Sequence, residues 1–549
     1  MRILIIGGVA GGATAAARIR RLDESVSITI IEKGAHISFA NCGLPYYLGG
    51  EIPSEENLLL QTPEGFYSRY RVNVRLPEEA TAIDLAAHRV TVRTADGRTY
   101  EEPYDKLLLA PGAEPAIPPL QNMDDPRVFT LRYVNDAAAI KNFIREHNVR
   151  SAVVAGGGPI GLETAENLKR SGLDVSVVEL SDQILPPFDY DIACHAAEYL
   201  KKTGLKLYLQ NALASVGAGE GGGLLLTLKD GHTIETGILV MCTGVRPDTK
   251  LARAAGLRTD GRGCVIVDAH MRTSDPDVYA VGDAVLTRHS VSGALSQHAL
   301  AGPANKEARV AADNICGLAS EYKGPQGSAI LRLFHRTAAM TGISEKTAQA
   351  LGLDYEKSYT HSLSHAEYFP GAADTLLKLI FERGTGRLLG AQVFGSDGVD
   401  KRTDVLAMAI RAGLRAQDLT EVDLCYAPPF GSAKDPVNIA GYVAENLLAG
   451  RLKQFHWHDV AALPRDGSVT LLDTRTEWEY ARGHIAGFQN IPLDDLRERR
   501  RELPQGRPVY LTCQIGLRGY LSARILMQNG FEVYNLAGGY RLYSVIFPE

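Results

Sequence analysis

Twice in this chain an apolar strand pattern runs into a glycine-rich turn, a helix and a second strand that ends in an acid. No other feature limits the fold as tightly. The first copy reads as a strand over residues 2–6 (apolar from Ile3 on), the turn Gly7-Gly8-Val9-Ala10-Gly11-Gly12, an Ala-rich helix to about residue 22, and a strand over 27–32 ending at Glu32. The second reads as a strand over 151–155, the turn Gly156-Gly157-Gly158-Pro159-Ile160-Gly161, a helix to about residue 171, and a strand over 174–179 ending at Glu179. Short apolar strands of this kind are buried on both faces of a parallel sheet. The glycines let backbone N–H groups approach a pyrophosphate at the helix N-terminus, and the terminal acid accepts hydrogen bonds from a ribose. Gly156, Gly158 and Gly161 fit the G-x-G-x-x-G spacing, whereas the first turn carries Val9 in place of the middle glycine. One copy alone is compatible with a plain α/β turn; two imply two bound dinucleotides. Glu179 should repel a 2′-phosphate, which favours NADH over NADPH.

The length of 549 residues allows three or four domains. A net charge of −6 gives no footprint for nucleic acid, and the basic run at residues 497–501 is interleaved with acid, as a solvated helix face is. The N-terminal apolar run is too short for a signal peptide, and no stretch approaches the ~20 apolar residues that span a bilayer. Seven scattered cysteines form neither a disulfide framework nor a zinc spacing, so no metal is expected and a reducing cytoplasm fits.

Cys42 stands ten positions after Glu32, in Ser38-Phe39-Ala40-Asn41-Cys42-Gly43-Leu44-Pro45-Tyr46. A flavin ring bound to the first turn would lie within its reach. With no second cysteine nearby, it must work through an external sulfur partner or a sulfenic acid. Its thiolate should be favoured by the flavin and by a helix N-terminus just after it.

With these pieces in place, residues 1–448 resemble the pyridine nucleotide–disulfide oxidoreductases, in particular the single-cysteine coenzyme A disulfide reductase branch. The motifs that carry the resemblance are the Cys42 segment, Leu108-Leu109-Ala110-Pro111-Gly112, Thr243-Gly244-Val245-Arg246-Pro247, Val281-Gly282-Asp283-Ala284 and Leu300-Ala301-Gly302-Pro303-Ala304-Asn305. Residues 460–549 resemble a rhodanese domain, through Asp473-Thr474-Arg475, Gly483-His484-Ile485-Ala486-Gly487, Cys513-Gln514-Ile515-Gly516-Leu517-Arg518 and Leu536-Ala537-Gly538-Gly539. The implied fold is α/β: two Rossmann-like dinucleotide-binding domains (FAD at 1–115 and 243–324, NAD(P)H at 116–242), an α+β dimerisation domain at 325–448, a linker at 449–459 and a C-terminal α/β rhodanese domain at 460–549.

The resemblance implies FAD, NADH (or NADPH) and coenzyme A as cofactors. It assigns cofactor contacts to Gly7, Gly8, Ala10, Gly11, Gly12, Glu32, Lys33, Ser38 and Asn41 around the first turn. Further contacts fall on Ala110, Pro111, Gly112, Gly282, Asp283, Ala301 and Ala304, with Asp283 on the ribityl chain. Around the second turn they fall on Gly156, Gly158, Ile160, Gly161 and Glu179, with Gly244 at the return crossing. For coenzyme A it points to Arg18 and Arg21, with Ser38, Asn41, Tyr67 and Arg69. In the resembling branch, tyrosines from a partner subunit replace the His–Glu acid/base pair of dithiol members; Tyr368 and Tyr426 match those positions and imply a homodimer. In the tail, loop N–H groups and the Arg518 guanidinium would cradle an anion and lower the Cys513 pKa, while Asp473 and Arg475 brace the loop. Cys194, Cys242, Cys264 and Cys316 read as packing residues, and Cys425 adjoins Tyr426.

The combined reading is an FAD-dependent NAD(P)H oxidoreductase that reduces small-molecule persulfides, polysulfides or coenzyme A disulfide through Cys42, with Cys513 delivering sulfane sulfur. The alternatives are an NADH oxidase or peroxidase cycling Cys42 through a sulfenic acid, and a redox-sensing carrier that passes sulfur to a protein partner.

Overall fold

The computed structural model describes residues 1–548, residue 220 by its backbone alone. It comprises two compact units: residues 1–182 with 205–325, and residues 183–204 with those from 326 on. Among the described residues no helix is long and apolar enough to cross a membrane.

The first unit holds two five-stranded parallel sheets. Across the first, the order is Val278–Ala280, Lys106–Leu109, Arg2–Ile6, Ser27–Ile31 and Val72–Arg75. Alternation along the central strand explains its apolar run: Ile3 and Ile5 pack with Ala15, Ala16 and Ile19 of the helix Ala10–Leu22, and Leu4 and Ile6 pack with Val90 and Val92 on the other side. Val90 and Val92 belong to the antiparallel strands Glu78–Asp84, Arg89–Thr94 and Thr99–Pro103. The second sheet runs Lys206–Tyr208, Asp174–Val178, Ser151–Ala155, Ile238–Met241 and Val128–Thr130, again all parallel. In both sheets the strand stops one residue before the acid, at Ile31 and at Val178.

The second unit carries an antiparallel sheet in the order Ala329–Leu333, Arg336–Gly342, Leu388–Gly395, Asp374–Glu382 and Tyr355–Leu363. The helices Val399–Ala412 and Pro436–Leu448 pack on it, and the helix Tyr190–Lys202 belongs to the same unit. Next comes a parallel sheet ordered Lys453–Phe455, Val533–Leu536, Val509–Thr512, Thr470–Asp473 and Gln489–Asn490. Residues 453–455, inside the segment read as a linker, are therefore an edge strand paired to Val533–Leu536.

A buried charge cluster pins this unit together. The fully buried Lys378 ammonium lies 2.6 Å from Glu345, 2.8 Å from Asp191 and 3.1 Å from Asp189. Lys357 also meets Glu345, and Tyr359 donates to Asp191. Burial alone would raise the Glu345 carboxyl, but the Lys378 and Lys357 charges bring it down to about 2. Asp191 is lowered in the same way against its burial, and Lys378 is held well above its ordinary value against its own.

Removing one partner strands the others in low dielectric. Lys378→Met should cost about 3–5 kcal/mol, read as a lower midpoint of denaturant unfolding for this unit. The sign with pH follows from the depressed carboxyls. In the wild type their contribution is complete above about 4.5, the unfolded glutamate value, and is lost as pH falls toward 2. In Lys378→Met, acid should instead relieve the deficit, narrowing the gap to wild type; a constant gap between pH 7 and 4 would contradict this account.

Candidate active site

Each glycine turn is shaped by contacts that leave no room for a side chain. A Cβ on Gly7 (φ +96°) would sit 2.1 Å from the Ala110 carbonyl oxygen, and one on Gly12 would sit 1.8 Å from the Gly7 oxygen. In the second turn, Gly156 (φ +115°) faces the Cys242 oxygen at 2.2 Å, and Gly161 faces the Gly156 oxygen at 2.0 Å. The middle positions differ: a Cβ on Gly158 meets no atom within 4 Å, and Val9 occupies the equivalent place with a negative φ (−96°), outside the left-handed region that calls for glycine. Val9 therefore leaves the first turn intact.

The acids close the turns. The buried Glu32 carboxylate accepts from Gly8 N and Gly34 N at 2.7 Å each. Glu179 accepts from Gly157 N at 2.6 Å and Ser181 N at 2.8 Å. The helices Ala10–Leu22 and Pro159–Arg170 begin without a side-chain cap, so their first N–H groups remain available to an anion. Ile160 is half exposed at the second helix start. These cradles fit the pyrophosphate groups of two dinucleotides.

The other contacts expected around the first turn assemble in the same unit. Ala110, Pro111 and Gly112 (φ +72°) follow the strand Lys106–Leu109, and the Gly11 position packs against Val281 and Ala110. Gly282 (φ +81°) donates to Glu307, whose carboxyl is pushed by burial up to about 7. The Asp283 carboxyl is raised by burial, with Arg132 opposing. Ala301 opens the helix Ala301–Ile315, and Ala304 faces the Gly282 position at 3.7 Å. Gly244 (φ +98°) borders open space. Lys33 is held by Asp248 at 2.6 Å and Glu114 at 3.5 Å, so its charge is already paired. Ser38 takes a left-handed conformation (φ +46°) and donates its N–H to the Gly8 oxygen, tying the Cys42 segment to the first turn.

Cys42 lies in the turn Asn41–Gly43 before the short helix Leu44–Leu48. That helix is pinned from three sides: Ser171 donates to Leu48 O at 3.0 Å, Lys141 donates to Tyr47 O at 3.2 Å, and the Tyr46 hydroxyl donates to Glu163 at 3.1 Å. Desolvation by the surrounding protein, then the Glu163 and Asp283 charges, raise the Cys42 thiol above its ordinary value. This corrects the expectation of a lowered pKa: among this chain's own groups, burial and two acids outweigh the local backbone donor. The response to Asp283 brings the thiol and the expected ribityl-binding acid into one site. Glu163, on the helix after the second glycine turn, escaped the sequence reading.

The expected coenzyme A cations are unequal. Arg18 pairs with Asp313 at 2.8 Å, which neutralises it, while Arg21, Arg69 and Tyr67 are exposed. Between Arg18 and Arg21, the buried Arg20 donates to the carbonyls of Tyr70 and Arg71, joining the helix Ala10–Leu22 to the end of the helix Pro63–Tyr70. Arg21 and Arg69 thus sit on two connected helices.

In the second unit the exposed Tyr368 and Tyr426 hydroxyls hydrogen-bond each other at 2.9 Å, which raises the Tyr368 phenol. Their loops are joined by Ala366 N donating to Gly431 O, and by the buried Arg402, which binds Ser364 O and Asp435. Cys425 is exposed beside Tyr426.

The strand Val509–Thr512 delivers the buried Cys513 into a loop closed by Gly516 (φ +108°) and the helix Leu517–Met527. Gly516 N donates to the sulfur at 3.1 Å. Gly539 makes the cap possible, because any Cβ there would lie 2.6 Å from the Cys513 oxygen; Tyr540 N and Arg541 N then donate to Cys513 O and Gln514 O. Burial raises the thiol, against the N–H groups of Gly519, Gly516 and Ile515 and the charge of Arg518. The expected lowering is therefore not met. The Arg518 guanidinium, expected in the anion cradle, is paired with both Glu479 oxygens at 2.7 Å. Arg475 does brace the loop, through Asp473 at 2.7 Å and the Tyr540 ring at 3.9 Å.

Comparison with known proteins agrees with this architecture. Residues 1–302 match the pyridine nucleotide-disulphide oxidoreductase family, residues 329–436 its dimerisation domain and residues 456–545 the rhodanese-like domain. The coenzyme A disulfide reductase of Staphylococcus haemolyticus is 35% identical over 448 residues, 81% of this chain and 100% of that protein. An NADH oxidase of Methanocaldococcus jannaschii is 34% identical, over 82% of this chain and 100% of its own length. Among solved structures, reduced Bacillus anthracis CoADR-RHD superposes with a TM-score of 0.97 at 42% identity, covering 100% of this chain and 98% of that one. A NAD-dependent persulfide reductase from A. fulgidus gives 0.92 at 35% identity, covering 99% and 100%. From its first glycine turn to its dimerisation sheet, this chain belongs to the pyridine nucleotide-disulphide oxidoreductases, and it carries a rhodanese-like domain behind them.

Proposed function

We propose that this enzyme uses NADH to reduce persulfides and coenzyme A disulfides through Cys42, with Cys513 collecting sulfane sulfur on the same chain. The observation that carries the reading is the pair of isolated thiols. Cys42 feels the charge of Asp283 in the nucleotide-binding unit, and Cys513 sits in a ring of loop N–H groups. The persulfide and coenzyme A substrates come from the A. fulgidus and Staphylococcus relatives. FAD would be held by Gly7, Gly12, Glu32, Gly112, Gly282 and Asp283, and supplies the two-electron link between pyridine nucleotide and sulfur.

The chain's own residues do the rest. Gly156, Gly158 and Gly161 receive the pyridine nucleotide, and the Glu179 charge disfavours a 2′-phosphate. The Cys42 thiolate attacks the inner sulfur of R–S–SH, forming Cys42–S–S–R and releasing HS⁻. Two electrons from NADH and one proton then return the Cys42 thiolate and release RSH. Tyr368 and Tyr426, contributed across a homodimer, can donate the proton that the leaving thiolate takes up. Arg21 and Arg69 remain as anchors for coenzyme A phosphates. Seven free cysteines fit a reducing cytoplasm. The NADH oxidase relative keeps a second reading open, in which Cys42 cycles as a sulfenic acid and oxygen or peroxide is the acceptor.

In the full-length holoenzyme, Cys42→Ser should cut NADH-dependent persulfide and coenzyme A disulfide reduction by on the order of 10³-fold or more. Turnover of the variant within tenfold of wild type would remove Cys42 from the mechanism. Faster NADH consumption by the wild type with peroxide or oxygen than with either sulfur substrate would favour the oxidase.

The acid field on Cys42 makes a separate prediction. Glu163→Gln should shift the pH profile of Cys42 alkylation to lower pH, so that the variant reacts faster than wild type on the rising limb. Peptide mass spectrometry after timed alkylation from pH 6.5 to 9.5 reads this directly; superimposable profiles would show that Glu163 does not act on the thiol.

A further inference from the structure

We propose that Glu479 sets the sulfur-donor preference of the C-terminal domain, by neutralising Arg518 so that the Cys513 loop accepts singly charged thiol persulfides and turns away doubly charged thiosulfate. The proposal rests on Cys513 as a sulfur acceptor and narrows what it accepts.

Two guanidiniums, those of Arg518 and Arg475, lie at the loop and a third arginine, Arg541, touches it through its backbone; each of the three has its own carboxylate. Arg518 donates from Nη1 and Nη2 to both Glu479 oxygens at 2.7 Å, a bidentate pair that offsets its charge. Glu479 is in turn fixed by Thr476 N and Oγ1 at 2.9 Å, so the pair is pre-formed. Arg475, 3.4 Å from the Gln514 side chain, is bound to Asp473. Arg541, whose backbone N–H holds Gln514 O, sends its guanidinium to Asp374. With each guanidinium offset by a carboxylate, backbone N–H groups make the closest contacts to the sulfur, Gly516 N at 3.1 Å, ahead of the Arg518 charge.

Partial charges of this kind suit a single negative charge. Two charges approaching a thiolate need a full cation to offset their repulsion. A singly charged persulfide passes on its outer sulfur and a thiolate leaves: Cys513–S⁻ + R–S–S⁻ gives Cys513–S–S⁻ + R–S⁻. The surface beside the ion pair suits an organic R group, since Trp478 and Leu517, the neighbours of Glu479 and Arg518 in sequence, are 67% and 63% exposed.

The test uses full-length holoenzyme carrying Cys42→Ser, so that Cys513 is the reacting thiol, with cyanide as acceptor: Cys513–S–SH + CN⁻ gives Cys513–SH + SCN⁻. Thiocyanate is measured with 2-hydroxyethyl persulfide, whose one charge is on its sulfur, and with thiosulfate as donors. The parent should prefer the persulfide in kcat/KM. Glu479→Gln should raise kcat/KM for thiosulfate roughly tenfold, the scale of one lost charged partner, while persulfide transfer, which also reports an intact loop, stays within about threefold. A parent that prefers thiosulfate overturns the proposal whatever the variants do. So does an unchanged donor ratio in Glu479→Gln, or, should that variant lose both activities, in Glu479→Ala. Because no pyridine nucleotide enters this assay, these failures are separate from failure of NADH-linked reduction. Loss of all transfer in Cys513→Ser is required for Cys513 as acceptor; transfer that survives it sinks both claims.

Discussion

The structure is organised around carboxylates that close glycine turns on themselves. Glu32 and Glu179 each accept two backbone N–H bonds, one from inside the turn and one from the chain just beyond the strand. A buried carboxylate is tolerable only when it is met in this way. The consequence reaches outward. Gly7 is pressed against Ala110 O and Gly156 against Cys242 O, so each turn also fixes the strand end opposite it. Ser38 N then hangs the Cys42 segment from Gly8 O. The shape of both glycine turns and the position of the Cys42 segment thus come from one set of contacts.

Both candidate thiols occupy surroundings that favour the protonated form, for different reasons. At Cys42 the cause is desolvation joined by two acids; at Cys513 it is burial set against several N–H donors and one arginine. Neither is the freely ionised cysteine that a motif alone suggests. Thiolate character, and with it attack on sulfur, depends on charge brought to the site.

What could be read from residues alone follows the range of the interactions. The glycine turns, the parallel strands and the Gly538–Gly539 pair are local, because steric limits act between near neighbours, and all three stand where the sequence puts them. The Tyr46–Glu163 bond, the Arg518–Glu479 pair and the Lys378 cluster join residues far apart in sequence, and no periodicity marks them. Arg18 illustrates the same limit: helical spacing put it on a face with Arg21, but only tertiary packing could supply Asp313. The edge strand Lys453–Phe455 was hidden because three residues of mixed polarity carry no pattern, and its hydrogen bonds come from Val533–Leu536.

Residues 183–204 separate what is contiguous in sequence from what is cohesive in space. They connect the strand Asp174–Val178 to the strand Lys206–Tyr208, its neighbour in the second parallel sheet. Yet Asp189 and Asp191 supply two of the three carboxylates around Lys378, which lies on a strand of the antiparallel sheet. Neither side is acceptable alone. A buried ammonium facing only Glu345 would be under-compensated, and two buried aspartates without Lys378 would be driven to protonate. The sheet therefore requires an excursion from the nucleotide-binding segment to complete its core. A fragment cut at the sequence boundary near residue 325 would leave out the very acids that make Lys378 tolerable.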